Sequence, residues 1–559
     1  MRLFKRLIYL CLILSAASAQ VGKYTRKSIS YIDIVLYSKS KLKNKIDSDY
    51  LLSAIHQDIR IKRFDYNPLP QSVQMTFKSS VQERKSVSSS EVGELMESTV
   101  VPELIKILDL QKEMRAKNLV TETQKNSFIT LKAKEIGITA AQLEQVMNSA
   151  YLYIPYITNY TVKTEKDDDD DDKEVNVRIS GGLIWYHLKA GDLPSVERIG
   201  KVSSEGWGSD DTESSAFRNA SHALGMNLQV KTREMDVFKL QSPIASVAKG
   251  NVYFPLGKSE GIRMDQPFFI GEWVEDRKGT IKLSTSGFVR VGTVVDNQRT
   301  PGQLSTAWAV KKGDWARGMM IVEHPRLGID IAVKPRWFNM TVKEGVFASE
   351  DFLIYFDDYK GIAIGMDADL QWNIAHFTKK RQTFLIIGGS AGVVPVRSRV
   401  YDNFAEVLFG LPTENWFSGV LSGYAGYMKK YYLGPFALHG EALLGFQRLA
   451  INDRYKGETI NIFNNSIGAR LNLGLEYAVN IDCNVGFFAG LTLFPPIDWW
   501  SAEYDDEEVE LTNYALWTGD EPKIYSIGPT FGLYIHYSPP TIPFNPWAMI
   551  QSQLQKAIP

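Results

Sequence analysis

Few side chains in this sequence are spaced for chemistry. His439 and Glu441 are two residues apart, so on a strand they share a face and could work as an acid/base pair. On a buried face the same spacing serves ordinary hydrogen bonding. The other histidines, His56, His187, His222, His324, His376 and His536, are scattered and never take the H-E-x-x-H spacing of a zinc site. Gly257-Lys258-Ser259 ends like a phosphate-binding loop, but Val252 stands where that loop needs its first glycine. Asp167 to Asp172 form an unbroken acidic run without the spaced ligands and turn glycine of a calcium loop, so the run reads as a solvated tip. No catalytic, cofactor-binding or metal site is expected, and the chain reads as non-enzymatic.

What the elements must position is therefore a surface or a scaffold. The first residues indicate where. Arg2, Lys5 and Arg6 precede a short apolar run, Leu7 to Leu14, and Ala17-Ser18-Ala19 has the A-x-A form of a cleavage site. That order predicts a secretory signal peptide over residues 1–19. Cys11 lies inside the apolar run after Leu10, which argues against lipidation. Cleavage leaves Cys483 as the sole thiol, so neither a disulfide nor a cysteine metal cluster is expected. A formal net charge of −1 gives no footprint for nucleic acid. No later stretch is apolar for roughly 20 residues, so no transmembrane helix is expected, though a β-barrel would escape that test.

From Leu327 onward the chain alternates with period 2 in segments of barrel-strand length. Ile329, Ile331, Val333 and Trp337 share one face, against Asp330, Lys334 and Arg336 on the other. Ile362, Ile364, Met366 and Leu370 alternate with Asp367, Asp369 and Gln371. Leu438, Ala442 and Leu444 alternate with His439 and Glu441, and Leu471, Leu473 and Leu475 with Arg470 and Glu476. Segments 383–394, 416–428, 484–494 and 525–537 are similar but richer in glycine, for about eight strands in all. Connections run long and short in turn, with an intermediate one at 450–458. Aromatic residues (Trp337, Trp372, Trp416, Tyr431, Tyr432, Trp499, Trp500 and Tyr537) gather near strand ends as interfacial girdles would. A soluble sandwich alternates equally well but does not explain this rhythm, or charges in mid-strand. The expected fold is α+β N-terminal domains followed by an all-β, eight-stranded antiparallel transmembrane barrel in the outer membrane of a Gram-negative cell.

Barrels of that size are filled by their own side chains. Asp330, Lys334, Arg336, Asp367, Asp369, His439, Glu441, Arg470 and Glu476 are thus expected to form a paired polar network in the lumen, making the barrel an anchor rather than a porin. The last strand, Thr530-Phe531-Gly532-Leu533-Tyr534-Ile535-His536-Tyr537, resembles the β-signal of outer-membrane proteins, with Thr530, Gly532, Ile535 and Tyr537 at its marked positions. That resemblance implies the barrel-assembly machinery as a partner during biogenesis, and outer-membrane lipid as the surroundings. The architecture is similar to the barrels of the OmpA and OmpX families.

Ahead of the barrel, the spacing predicts an N-terminal α/β region over 20–150 and a small α/β domain over 151–248. Helical periodicity covers 91–116, with Pro102 breaking or restarting it, and 140–150. Residues 151–164 and 174–188 read as paired strands with the acidic run at their tip, and 214–228 as a helix ending near Gly225. Gly-rich turns between short β-branched runs predict a β-module over 249–322. The order of an α/β unit, then Gly257-Lys258-Ser259-Glu260-Gly261-Ile262-Arg263-Met264-Asp265 and a β-module, resembles the FlgT flagellar assembly family and, more loosely, CsgG and the TolB N-terminal domain. This likeness implies a periplasmic protein–protein scaffold with envelope proteins as partners and no cofactor. Residues 541–559 read as a periplasmic tail. The competing expectation is an adhesin or ligand-binding barrel acting through its last long loop, where Trp499, Trp500, Tyr504 and Trp517 stand beside acidic residues.

Overall fold

The computed structural model describes residues 27–541 except 62–63, 85–86, 88, 118–120, 137–138, 148, 167–172, 190–194, 276–280, 298, 301, 349–352, 402–412, 416–417, 456–457, 505–506, 510–511 and 514–521. The expected signal peptide, the acidic run at 167–172, Trp416, Trp517 and residues 542–559 of the tail lie outside the described residues. The chain forms two compact units, the first running essentially to Leu240 and the second from Gln241 to Thr541.

In the first unit, β1 (Lys27–Tyr31), β2 (Leu36–Tyr37), β3 (Phe64–Pro68), β4 (Ser149–Lys166), β5 (Lys173–Lys189) and β6 (Ser195–Asp210) make one sheet in the order β3-β1-β4-β5-β6, with β2 beside β4. Strands from the expected 20–150 region and from the expected 151–248 domain therefore hydrogen-bond within a single sheet. β1 runs parallel to β3 and β4, while β4, β5 and β6 are antiparallel. Successive residues of β4 point to opposite faces. Tyr151 and Tyr153 enter one core, with Trp185, Phe217 and Leu224, and Leu152 and Ile154 enter another, with Leu104 and Leu143. Both faces are apolar because helices cover both.

The helix Glu213–Glu234 continues for two turns past Gly225, where the sequence suggested an end. Gly225 is a packing position. A Cβ there would meet Asp58 Cβ at 2.8 Å, so its absence lets the helix Ser48–Asp58 approach closely. Helical backbone continues from Ser89–Leu95 through a π-helical turn at Met96–Val100 into Val101–Ala116, so Pro102 neither ends nor restarts the helix, and the wider turn lies just ahead of its ring.

The second unit opens with a seven-stranded module: β7 (Gln241–Pro243), β8 (Ser246–Ala248), β9 (Asn251–Phe254), β10 (Pro267–Glu275), β11 (Ile281–Thr293), β12 (Ser305–Lys311) and β13 (Met320–Glu323). It leads into a closed barrel of eight antiparallel strands, β14 (Ile329–Lys343), β17 (Tyr359–Asn373), β18 (Thr383–Val394), β21 (Ser418–Leu433), β22 (Phe436–Tyr455), β23 (Glu458–Ala478), β24 (Cys483–Phe494) and β28 (Lys523–Tyr537). The β14–β28 seam completes the ring. Alternation sets the two faces. Ile364, Leu370, Leu444, Leu473 and Phe487 are exposed on the outside, whereas Asp367, Asp369, Glu441 and Asn472 are buried within. An apolar exterior around a charged interior inverts a soluble sandwich and suits a hydrocarbon surround.

The two ends differ. One carries short turns, between β17 and β18, β21 and β22, and β23 and β24. At the other, β15 (Gly345–Ala348), β16 (Leu353–Phe356), β19 (Ser398–Tyr401), β20 (Thr413–Asn415) and β27 (Thr512–Asn513) form a five-stranded cap sheet, while β25 (Trp500–Tyr504) and β26 (Glu507–Val509) extend the barrel sheet from β23. The intermediate loop expected at 450–458 is instead strand up to Tyr455 and again from Glu458, which pair with each other. Leu449, Ile451, Ile460 and Ile462 alternate into the apolar core under the cap, which pulls those residues into the ladder.

Candidate functional site

The candidate site is the barrel lumen and its short-turn end. Every residue named for the lumen from sequence faces inward and is buried. Lys334 Nζ on β14 lies 2.6 Å from Asp369 Oδ2 on β17 and 2.7 Å from Glu441 Oε1 on β22. Asn472 donates to Glu441 at 3.0 Å. A second group forms around Asp367, 2.7 Å from Arg336 and 3.1 Å from Arg470. The Arg470 guanidinium also reaches Ser422 Oγ at 2.6 Å. Nearer the short turns, Lys430 pairs with Glu476 at 3.1 Å, and His536 stands 2.9 Å from Asp330.

Sequence reasoning missed Lys430, Ser422, Tyr424, Tyr534 and His536 as members of this network. The signal was their inward phase on glycine-rich strands. Tyr424 donates to Asp369 at 2.6 Å, and Tyr534 donates to Gln371 at 3.0 Å. In a low-dielectric lumen, removing one partner of an ion pair such as Lys334–Glu441 costs about 3–5 kcal/mol, because the other charge stays buried alone.

His439 and Glu441 share a face, but their closest approach is 3.8 Å and both side chains are sealed from solvent. His439 stacks on Tyr534 with ring centroids 4.9 Å apart, and its two ring nitrogens have no hydrogen-bond partner among the described residues. Glu441 is held by Lys334 and Asn472. Gly388-Gly389-Ser390-Ala391-Gly392, passed over in the sequence, has the spacing of a hydrolase nucleophile elbow. Such an elbow requires a sharp strand-to-helix turn. Here the segment runs straight through β18, and Ser390 hydrogen-bonds Ser422 inside the lumen.

Of the loop residues expected as a binding surface, the described ones divide between two surroundings. Trp500 packs edge-on against Phe347, centroids 4.8 Å apart, and against Phe356, half-buried at the edge of the core under the cap. Tyr504 packs against the same core. Trp499 is exposed and edge-on to Phe446 of the barrel wall. Of the expected girdle, Trp372, Tyr431 and Tyr537 are exposed near the short-turn end. Trp337 instead lies in the middle of β14, stacked on Phe531, and Tyr432 turns under the β-module. In the β-signal-like strand, Thr530 and Gly532 face inward while Ile535 and Tyr537 face out.

The β-module closes the short-turn end. Phe288 and Val310 of the module pack with Ala478 and Ile481 at the β23–β24 turn. Asp265, left-handed at φ 66 and buried, accepts the Gln382 N–H and, at 3.2 Å, the Asn373 side chain. Burial raises its carboxyl, although these hydrogen bonds pull the other way. Arg290 reaches the Asp265 carbonyl at 3.3 Å and lies 5.9 Å from the Tyr432 ring. Burial lowers its guanidinium, but Tyr432, Asp330 and Asp265 outweigh that and hold the charge more firmly than usual. Asp482 in the β23–β24 turn is gripped by His324 at 2.8 Å and by Arg326 at 2.5 and 2.6 Å.

No protein-family model matches the chain. No curated protein sequence matches it either. Among solved structures, the chain is similar to the Neisserial surface protein NspA, at 11% identity over 38% of this chain and 99% of that one, with a TM-score of 0.19. It is similar to the outer-membrane protease OmpT of Escherichia coli, at 7% identity over 37% and 96%, with a TM-score of 0.22. The β-domain of the Bordetella autotransporter BrkA aligns at 9% identity over 38% and 99%, with a TM-score of 0.16.

Proposed function

We propose that this chain is a non-enzymatic outer-membrane anchor, its barrel holding the preceding domains at the periplasmic face as a scaffold for envelope proteins. One observation carries this reading. The barrel interior is filled by side chains whose charges pair, Lys334 with Asp369 and Glu441 and Lys430 with Glu476, and its short-turn end is covered by the β-module, so the inward-facing chemistry serves retention rather than passage. The apolar exterior supports the membrane setting. The first unit supports the scaffold role through its size, as a two-core sheet domain far larger than an anchor requires. The likeness to FlgT-like and CsgG-like assembly domains is part of the same reading.

The test is gentle cross-linking in native outer membranes, followed by isolation in mild detergent. Stoichiometric envelope proteins that disappear when residues 27–240 are deleted are the expected result. Recovery of the chain alone, or loss of function on removing only residues 498–513, would sink the scaffold reading in favour of a surface ligand. Turnover of any substrate that Glu441→Gln abolishes, with the barrel still folded, would overturn the non-enzymatic reading.

A further inference from the structure

A cavity of about 740 Å³ opens where the β-module meets the short-turn end of the barrel. Met264, Gly292, Thr293 and Trp308 of the module line one side. The β17–β18 turn contributes Lys379 to Gln382, and the end of β21 contributes Lys429 to Leu433. Its charge is one-sided. Lys379, Lys380, Arg381 and Lys429 border it, and among the described residues no carboxylate pairs with any of them. Lys430 also lines it but is committed to Glu476 inside the lumen. Asp265 stands behind the same turn, buried beneath Gln382.

The cations are held in place. The Arg381 guanidinium lies 5.4 Å from the Trp308 ring. A Cβ at Gly292 would stand 3.4 Å from Arg381 Nη1, so the guanidinium lies in van der Waals reach of the β-module backbone there. Lys429 Nζ donates to the Arg381 carbonyl and lies 5.3 Å from the Tyr431 ring. Behind them the backbone N–H of Gln382, a residue only 3% exposed, is held by the buried Asp265 carboxylate, which fixes the turn that carries Arg381.

The rim shows where a ligand would come from. Tyr431 and Leu433 border the cavity and are also exposed on the barrel exterior, 63% and 67%. Phe377, Trp372, Phe436 and Tyr477 are exposed around the same end, as an interfacial girdle is. The cavity thus lies at headgroup depth, with cations inward and apolar side chains toward the acyl region. Clustered Lys and Arg beside a membrane attract anionic headgroups, and guanidinium is suited to phosphate.

We propose that this cavity binds a phosphate anion supplied by the headgroup of an anionic phospholipid in the adjoining leaflet. The lipid as source rests on the membrane reading above; the anion chemistry does not. Dioctanoyl phosphatidylglycerol is titrated into the full chain in neutral detergent, with dioctanoyl phosphatidylcholine and sodium phosphate as separate arms. Saturable one-to-one binding of phosphatidylglycerol is expected, at least tenfold tighter than either comparator. Lys380→Gln with Arg381→Gln should weaken it tenfold or more, while Lys343→Gln with Lys360→Gln at the cap end leaves it unchanged. Unaltered heat-modifiable mobility shows that both variants still fold.

Equal binding by the wild type and the Lys380→Gln/Arg381→Gln variant overturns the site. Sodium phosphate bound as tightly as phosphatidylglycerol overturns the lipid as source. The anchor is judged separately by fractionation. A wild-type chain that sediments with outer membranes but ignores phosphatidylglycerol overturns this site alone, whereas absence from the membrane overturns the anchor and the lipid source together.

Discussion

Arg326, in the segment leaving the β-module, grips Asp482 of the β23–β24 turn side-on through two hydrogen bonds of 2.5 and 2.6 Å. The pair is 156 residues apart in the chain and ties the module to the barrel mouth. A charge-assisted bond of this kind contributes about 1.5–3 kcal/mol. Arg326→Ala should therefore open the junction and speed proteinase K cleavage within residues 324–328 by roughly tenfold or more, since each 1.4 kcal/mol is about a factor of ten. Unchanged cleavage would mean that the apolar contact of Phe288 with Ile481 suffices.

The same carboxylate gives the junction an acid limit. Burial would raise Asp482, but its bonds with His324 and Arg326 outweigh burial and hold it at about 2. A depressed carboxyl contributes fully above its unfolded value of 3.8 and loses that contribution as pH falls through the folded value. Cleavage at the junction is expected to rise between about pH 4 and 2, and Asp482→Asn should abolish that rise.

The first unit should weaken in milder acid. His56 packs on Tyr31, ring centroids 3.9 Å apart, and burial, aided by Arg60, lowers its imidazole to about 4. Between pH 6.5 and 4 the unfolded chain binds a proton that the folded unit refuses, so stability falls as pH drops, by up to about 1.4 kcal/mol per unit. Calorimetry of the full chain at pH 7.5 and 5 should show this in the transition of the first unit. His56→Phe should flatten it.

Lys334 is the lumen cation with two carboxylates on it. Lys334→Met should cost about 3–5 kcal/mol in the refolded barrel, because Asp369 and Glu441 are left buried without their partner. Adding Asp369→Asn and Glu441→Gln should recover most of that loss. Failure of the triple variant to recover would point to packing by the lysine stem rather than charge.

Gly532 sits on the seam that closes the barrel. A Cβ there would stand 2.3 Å from the Pro335 carbonyl oxygen and 2.8 Å from the Phe488 ring. Gly532→Val should slow or block refolding into detergent, read by heat-modifiable mobility, in the absence of any assembly machinery. Normal refolding with failed assembly in cells would instead assign the glycine to recognition of the strand.

Much of the barrel was legible in the chain because a strand has a period of 2. Once Ile329, Ile331 and Val333 face out, Asp330 and Lys334 must face in, whatever the rest of the molecule does. The long connections were legible as long. Their pairing into β15, β16, β19, β20 and β27 was not, because it joins residues far apart in the chain, such as Phe347 with Asn513. Trp500, expected on a surface loop, consequently packs half-buried against the core under that sheet.

Local pattern, then, determined the number of strands, the charged interior and the apolar exterior. Strand stagger and closure decided who meets whom: that Lys334 finds Glu441 across 107 residues, and that Arg381 rests on Trp308 beside a cavity of cations. Those contacts depend on distances through space, which residue order constrains only after the ring has closed and the β-module has docked on it.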